Sequence, residues 1–405
     1  MNHSDSEKIA SRLQKQGYRP ATSARNADLI VLNACSVRQG ALNRSLGQLP
    51  NLGLKKIIVT GCLLLDTQKK LADKKIDCWL PADYWPEKHP CRANQFSALV
   101  PIMTGCDNFC AYCVVPLTRG REKSRPAKEI LAEINSLIKN GVKEITLLGQ
   151  NVNSYRDKNI NFPKLLKTIN ALPGSFWLSF VTSHPKDMSD ELIKTAAKCL
   201  KVSPYLHLPV QSGDDQILKK MNRHYTVSHY KNLIKKIRRA FKKYSSPEAL
   251  AKGRRPAFPP IAISTDIIVG FPGETKTHFT NSARLARQLK FDMIYFAPYS
   301  PRPGTAATKL KDDVTLTEKK RRAKILNSIL SQTALANNQS YLNRQVEVLI
   351  TEIKNGSAFG KTATNKTVKI EASGLKIGAR ARVKIFAVTP WSLKAKLSSS
   401  QGNAE

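Results

Sequence analysis

Three cysteines fall within eight residues in the stretch Gly105-Cys106-Asp107-Asn108-Phe109-Cys110-Ala111-Tyr112-Cys113. The gaps of three and then two residues suit thiols that share one inorganic centre. Three thiolates can each take one iron of a [4Fe–4S] cluster and leave the fourth iron open to a substrate or cofactor. A structural zinc ion closes four positions, and no fourth donor lies at a suitable spacing. Two more cysteines, Cys35 and Cys62, directly follow the apolar runs 28–33 and 56–60. The remaining three, Cys78, Cys91 and Cys199, fit no ligand pattern and read as ordinary buried or surface thiols.

Strands and helices must hold these thiols in place. Residues 5–16 read as a helix stopped by Gly17, and the runs before Cys35 and Cys62 read as buried parallel strands. Pro81, Pro86 and Pro90 then break the pattern, which sets a boundary near residue 92. Beyond it, candidate strands at 98–103, 144–149, 176–182, 204–208, 262–269 and 292–297 alternate with helical patterns at 127–140, 188–198, 226–244 and 275–289. Six β/α repeats predict a partial parallel barrel, with the cysteine loop following its first strand. Active sites of such barrels gather at the carboxyl ends of the strands. Polar segments follow later strands at 150–153, 182–185, 211–213 and 270–274. A helix at 316–337 leads to short β-rich runs at 345–350, 366–371 and 381–388. The chain is thus expected to be α/β. An α/β domain over 1–91 precedes the partial (β/α)6 barrel over 92–337 and a small β-barrel over 338–402.

The chain has 405 residues, 66 Lys+Arg against 30 Asp+Glu, and a net charge of +36. A basic excess of this size speaks for an acidic partner, nucleic acid first. It is concentrated at 231–255, with ten Lys/Arg and the single acid Glu248, and at 339–402, with eleven Lys/Arg and three acids. The stretch 241–260 is polar and Pro-rich and reads as an exposed loop. The 41% hydrophobic content supports a folded core and excludes wholesale disorder. The sequence opens without a signal-peptide pattern, and no apolar run is long enough to span a bilayer. A cytoplasmic location is expected, and disulfides are not.

The cysteine loop resembles that of the radical S-adenosylmethionine superfamily. Longer stretches, GCDNFCAYCVVPLTRGREKSRP, EITLLGQNVNSY, FVTSHP, HLPVQSG, TDIIVGFPGET and Ser300–Thr305, are similar to the methylthiotransferases of that superfamily. GQNVN and TSHP favour the branch that acts on N6-dimethylallyladenosine in tRNA. The C-terminal β-rich segment is similar to a TRAM domain, an RNA-binding barrel. The resemblance covers nearly the whole chain.

The resemblance implies that Cys106, Cys110 and Cys113 hold a [4Fe–4S] cluster that binds S-adenosylmethionine. It implies that Cys35 and Cys62 are ligands of a second [4Fe–4S] cluster. Gln150, Asn151, Ser183, His184 and Gln211 are the candidates to line the cofactor pocket. The implied reaction adds a methylthio group to carbon 2 of a prenylated adenosine beside the anticodon. The implied partners are a tRNA anticodon stem-loop, an electron donor of flavodoxin or ferredoxin type and a sulfur donor, with the chain a monomer and no membrane involved. The family's first second-cluster cysteine has no counterpart, because this sequence opens Met1-Asn2 where the family motif continues. The N-terminal domain is therefore expected to be truncated, with Met1 an internal methionine or the chain shortened. Three alternatives stay open. Sister methylthiotransferases act on threonylcarbamoyladenosine in tRNA or on an Asp of a ribosomal protein. A chain lacking one cysteine could be a tRNA-binding relic. Cys78 or Cys91 could replace the missing ligand.

Overall fold

The structure, a computed structural model, describes residues 1–35, 39–52, 55–80, 95–244, 260–372 and 374–398. Near the amino end, β1 (Leu29–Cys35), β2 (Lys56–Cys62) and β3 (Asp77–Cys78) form a parallel sheet in that order. Helices α1 (Asn2–Lys15), α2 (Gln39–Leu46) and α3 (Leu65–Ala72) accompany it. The register sets Cys35 opposite Cys62 at the carboxyl ends of β1 and β2. Cys78 pairs instead with Val59, three residues short of Cys62 and so about 10 Å back along the strand.

The central sheet follows the β/α pattern. β4 (Ser97–Pro101), β5 (Glu144–Leu148) and β6 (Trp177–Phe180) pair in parallel with β5 in the middle. β7 (Tyr205–His207), β8 (Ala262–Val269) and β9 (Met293–Pro298) do the same around β8. A parallel bridge from Leu178 to Val202 joins the two halves into one six-stranded arc. No pairing closes β4 onto β9 among the described residues, so the barrel is open along that side.

The short helix α4 (Val115–Arg119) and the longer helices α5 (Ala127–Lys139), α6 (Phe162–Ala171), α7 (Asp190–Lys198), α8 (Asp215–Lys220), α9 (Val227–Tyr244), α10 (Lys276–Leu289) and α11 (Leu316–Gln339) complete this region. The longer helices pack their apolar stripes on the arc; Ile130, Ile134 and Leu137 of α5 are one such stripe. Helix α6 lies beyond the sequence expectation. Its Pro163 sits in the first turn, where no backbone donor is needed, and Asn161 caps it by accepting from Lys164 N at 3.0 Å. The expected loop at 241–260 begins as the last turn of α9, and residues 245–259 lie outside the described residues. The domain boundary near residue 92 and Cys91 also lie outside them.

The C-terminal segment closes into a five-stranded barrel: β10 (Gln345–Lys354), β11 (Ser357–Thr362), β12 (Thr367–Ile370), β13 (Arg380–Val388) and β14 (Leu393–Leu397). Alternate residues Val346, Val348, Ile350, Val383 and Ile385 fill its interior, while Leu349 of β10 is buried outside that cluster. Strands β11 and β14 extend the expected set. Asn355-Gly356, both at positive φ, form the tight hairpin between β10 and β11.

This small barrel seats on the amino ends of the central strands. Lys361 pairs with Glu144 at 2.8 Å and Lys366 with Asp292 at 2.6 Å. Arg380 donates to Lys143 O at 3.1 Å and lies over the Trp177 ring. The barrel therefore sits at the end of the arc opposite the cysteine loop. No helix among the described residues is long and apolar enough to cross a membrane.

Candidate iron–sulfur and cofactor site

The cysteine loop leaves β4 and is pinched shut by a two-residue ribbon, Met103–Thr104 against Lys123–Ser124. Gly105 opens it at φ +76°, and a Cβ there would fall 2.0 Å from Arg121 O. Only glycine fits that approach. We expect Gly105→Ala to push the loop outward and lower iron retained after reconstitution several-fold, read by iron assay on the purified chain.

Each of the three thiols receives an N–H donor. Asn108 Nδ2 donates to Cys106 Sγ at 3.3 Å, Arg223 Nη1 to Cys110 Sγ at 3.3 Å, and Val115 N to Cys113 Sγ at 3.5 Å. Donors of this kind orient sulfur ligands and tune what they bind. Burial pushes the Cys113 thiol up to about 12 and raises Cys106, so both are protonated thiols at neutral pH until a metal displaces the proton. The loop is clamped from two sides, by Ala111 N to Met221 O at 2.9 Å and Ala307 N to Ala111 O at 2.7 Å. Among the described residues no three of His, Cys, Asp and Glu gather as ligands of a single ion. A cubane differs in giving each thiolate its own iron.

The carboxyl ends of the next strands bring the other expected residues to the same end of the arc. Among the described residues, four buried polar atoms there have no hydrogen-bond partner: Gln150 Oε1, Asn151 Oδ1, Ser183 Oγ and His184 Nε2. Buried polar groups left unpaired in a native fold point to a missing ligand or water. Asn151 is steered by its Nδ2 donating to Asp187 Oδ2 at 2.7 Å. Thr182 is β-branched yet held at φ +68°, a strained backbone of the kind found at binding sites. Gln211, at φ +69°, lines a cavity of about 210 Å³ with Tyr112, Cys113, Asp266 and Tyr299. The Gly270–Glu274 loop has a different use. Glu274 accepts from Gly270 N at 2.6 Å and from Arg322 Nη1 at 2.5 Å, so it braces its own turn.

His184 Nδ1 accepts from Lys186 N at 3.2 Å, which leaves the proton on Nε2 and makes that atom a donor. Burial, aided by Arg223, Lys186 and His224, holds its pKa down at about 2. The unfolded value is about 6.5, so the stabilisation is whole above that pH and is lost as pH falls. By about pH 5 the loss is about 2 kcal/mol. Thermal melts of the apoprotein should show this acid limb, and His184→Gln should flatten it.

Cys35 and Cys62 form a second thiol pair. Gly61 between them turns at φ +101°, where a Cβ would meet Ala34 O at 2.1 Å. Burial raises the Cys62 thiol, with Arg119 opposing. Arg302 lines the same cavity as Cys113, and burial lowers its pKa against the opposing charge of Cys35. Cys199 is buried in the central core and Cys78 packs in the N-terminal one; neither joins a site.

Arg223, Arg119 and Asp5 escape the sequence reading. Arg223 is buried beside Cys110 and bonds Pro209 O at 3.0 Å. Its signal was Asn222-Arg223-His224-Tyr225, a cation amid aromatics just past α8. Arg119 lies inside the quoted GCDNFCAYCVVPLTRGREKSRP stretch, but nothing in its local sequence announces a long-range partner.

The family models agree with this layout. The Radical SAM superfamily model matches residues 100–286, that of Uncharacterized protein family UPF0004 matches 1–81, and the TRAM domain matches 339–398. The tRNA-2-methylthio-N(6)-dimethylallyladenosine synthase of Clostridium botulinum (strain Langeland / NCTC 10281 / Type F) is 37% identical over 438 residues, spanning 97% of this chain and 94% of that protein. The synthase of the same name from Thermoanaerobacter sp. (strain X514) is 37% identical, spanning 98% and 90%. That of Caldicellulosiruptor saccharolyticus is 40% identical, spanning 92% and 85%. The chain belongs to the family of these synthases, the radical S-adenosylmethionine tRNA methylthiotransferases.

Proposed function

We propose that the chain adds a methylthio group to carbon 2 of an N6-dimethylallylated adenosine in tRNA. The observation that carries this is the meeting of three donor-supported thiols with unpartnered buried polar atoms at one end of the arc. In this reading Cys106, Cys110 and Cys113 hold the [4Fe–4S] cluster that binds S-adenosylmethionine. Together these groups supply the radical chemistry that an inert aromatic C–H bond requires. Gln150, Asn151, Ser183, His184 and Gln211 orient the cofactor. His184 offers Nε2–H to an oxygen of it, and stays neutral while doing so. Tyr112 and Tyr299 line an apolar wall that keeps water from the reacting carbon.

Cys35 and Cys62 are assigned to the second cluster. Their shared register at the ends of β1 and β2 supports this reading, and among the described residues no third Cys, His, Asp or Glu joins the two thiols. A flavodoxin- or ferredoxin-type electron donor and a sulfur donor complete the reaction.

The tRNA is assigned to the C-terminal barrel as well as to the cysteine end. Arg382, Lys384, Lys394 and Lys396 are exposed on β13 and β14, with Lys396 over the exposed ring of Phe386. Cations interleaved with an aromatic suit an RNA backbone and a stacked base. With about four phosphate contacts, tRNA affinity should fall on the order of 100-fold between about 50 and 200 mM salt. Fluorescence anisotropy checks the slope, and Lys384→Ala with Lys396→Ala should flatten it.

The test of function is expression in a strain that lacks its own enzyme for this step, with nucleoside mass spectrometry of its tRNA. Appearance of 2-methylthio-N6-dimethylallyladenosine is expected. Its absence, with methylthiolation found instead on threonylcarbamoyladenosine or on a ribosomal-protein Asp, would reject this substrate.

A further inference from the structure

Where the C-terminal barrel seats on the central arc, it leaves a cleft of about 480 Å³, in the size range of sites that take a small ring system. Tyr295 of β9 lines it from the arc, and Phe359 of β11 and Trp391 of the β13–β14 turn line it from the small barrel. Trp391 is 48% exposed and Tyr295 46%, so two large aromatic rings stand open to water around one cavity. The turn that carries Trp391 is fixed, because Thr389 Oγ1 accepts from Trp391 N at 3.2 Å and from Ser392 N at 2.9 Å. The Tyr295 ring packs edge-on against His207, with centroids 5.7 Å apart.

Charge decides what fits this cleft. Among the described residues its cations are Lys361 and Lys366, and each is held by a carboxylate of the arc, Glu144 at 2.8 Å and Asp292 at 2.6 Å. Glu352 adds an exposed acid to the lining. A phosphate therefore meets no free cation there, whereas a flat uncharged ring meets aromatic faces to stack on. Exposed cations lie outside the cleft, Lys394 and Lys396 on β14, the strand that starts from the Trp391 turn. The cleft also borders the cysteine end: Tyr295 lines both it and the cavity of about 210 Å³ that includes Cys113.

We propose that this cleft binds an unstacked RNA base on Trp391, a strand neighbour of the base that enters the Cys113 cavity. This deepens the tRNA reading under Proposed function and rests on it. Loop bases splayed out of an RNA are held on aromatic side chains, while nearby cations hold the backbone. The seat of the small barrel then sets where the strand lies relative to the cysteine loop, with Tyr295 as the shared boundary.

The test uses the full chain and a labelled anticodon stem-loop RNA carrying N6-dimethylallyladenosine, followed by fluorescence anisotropy across a salt series. Trp391→Ala should weaken binding about 10-fold or more with the salt slope unchanged, because a stacked base displaces no counterions. Trp391→Phe keeps a stacking face and should recover most of the loss. 2-Aminopurine placed at each neighbour of the target adenosine in turn should be brighter with Trp391→Ala than with the parent at one of the two positions. Binding of Trp391→Ala within about 2-fold of the parent, or a loss that comes with a flatter salt slope, overturns the base site. Unchanged 2-aminopurine emission at both positions overturns it as well. A thermal melt shows whether Trp391→Ala folds; if it does not, Tyr295→Leu probes the same cleft from the arc and should weaken binding by a similar factor at an unchanged slope. Failure of the parent chain to bind the RNA at about 50 mM salt overturns the tRNA reading itself.

Discussion

Cys110→Ala abolishes reductive cleavage of S-adenosylmethionine and lowers the iron content by about four per chain after reconstitution. Cys110 is the middle thiol of the loop and the one held by a buried cation, Arg223, at 3.3 Å. No nearby side chain can stand in for it. Asp107 is engaged with Arg121 and with Glu122 N, and Asn108 already serves Cys106. The loop cannot slide to offer another atom, because Ala111 is clamped to Met221 and Ala307. The apoprotein should melt within a few degrees of the parent, since a half-buried thiol removed from a loop leaves only a small void. Iron assay, S-adenosylmethionine cleavage and a thermal melt check the three parts. Full iron in Cys110→Ala would remove this thiol from the ligand set.

Arg223→Leu lowers the cleavage rate about 10- to 100-fold, the usual cost of losing a group that orients a metal ligand. Arg223 bonds three partners at once: Cys110 Sγ, Pro209 O at 3.0 Å and Tyr225 OH at 2.9 Å. It thereby ties the cysteine loop to the segment that follows β7. A planar guanidinium with a fixed fork can do this, and a lysine ammonium cannot reach all three. Arg223→Lys should recover part of the iron content and little of the rate. The split distinguishes orientation from simple loss of stability, which would lower both together. Iron content and single-turnover cleavage measured on the same preparation decide it.

The barrel strands were legible because each is a short apolar run bounded by polar turns, repeated with amphipathic helices between. The cysteine loop was legible because its thiols are local, with all three inside one turn-rich segment. Helix α6 was obscured by Pro163, which breaks helices in their interior and starts them at their first turn. Strand β11 was obscured although Asn355-Gly356 announces a hairpin, because its own residues, with Gly360 in the middle, carry little apolar signal. The basic stretch at 231–255 is partly absorbed by the fold. Lys236 pairs with Asp190, and Arg238 caps the end of α10 through Leu289 O.

What the amino-acid sequence determined by itself is the repeat, the cysteine loop and the basic C-terminal barrel, all of which rest on neighbours in the chain. Only the tertiary structure decided which groups from distant segments meet. Asp5 and Arg119 are separated by 114 positions yet share one buried ion pair, and Arg223 reaches Cys110 across 113. It also decided that the C-terminal barrel sits at the amino ends of the strands, held there by Glu144 and Asp292. The reason is physical: local spacing fixes periodicity and turns, whereas a buried charge finds its partner only when packing has brought both out of water.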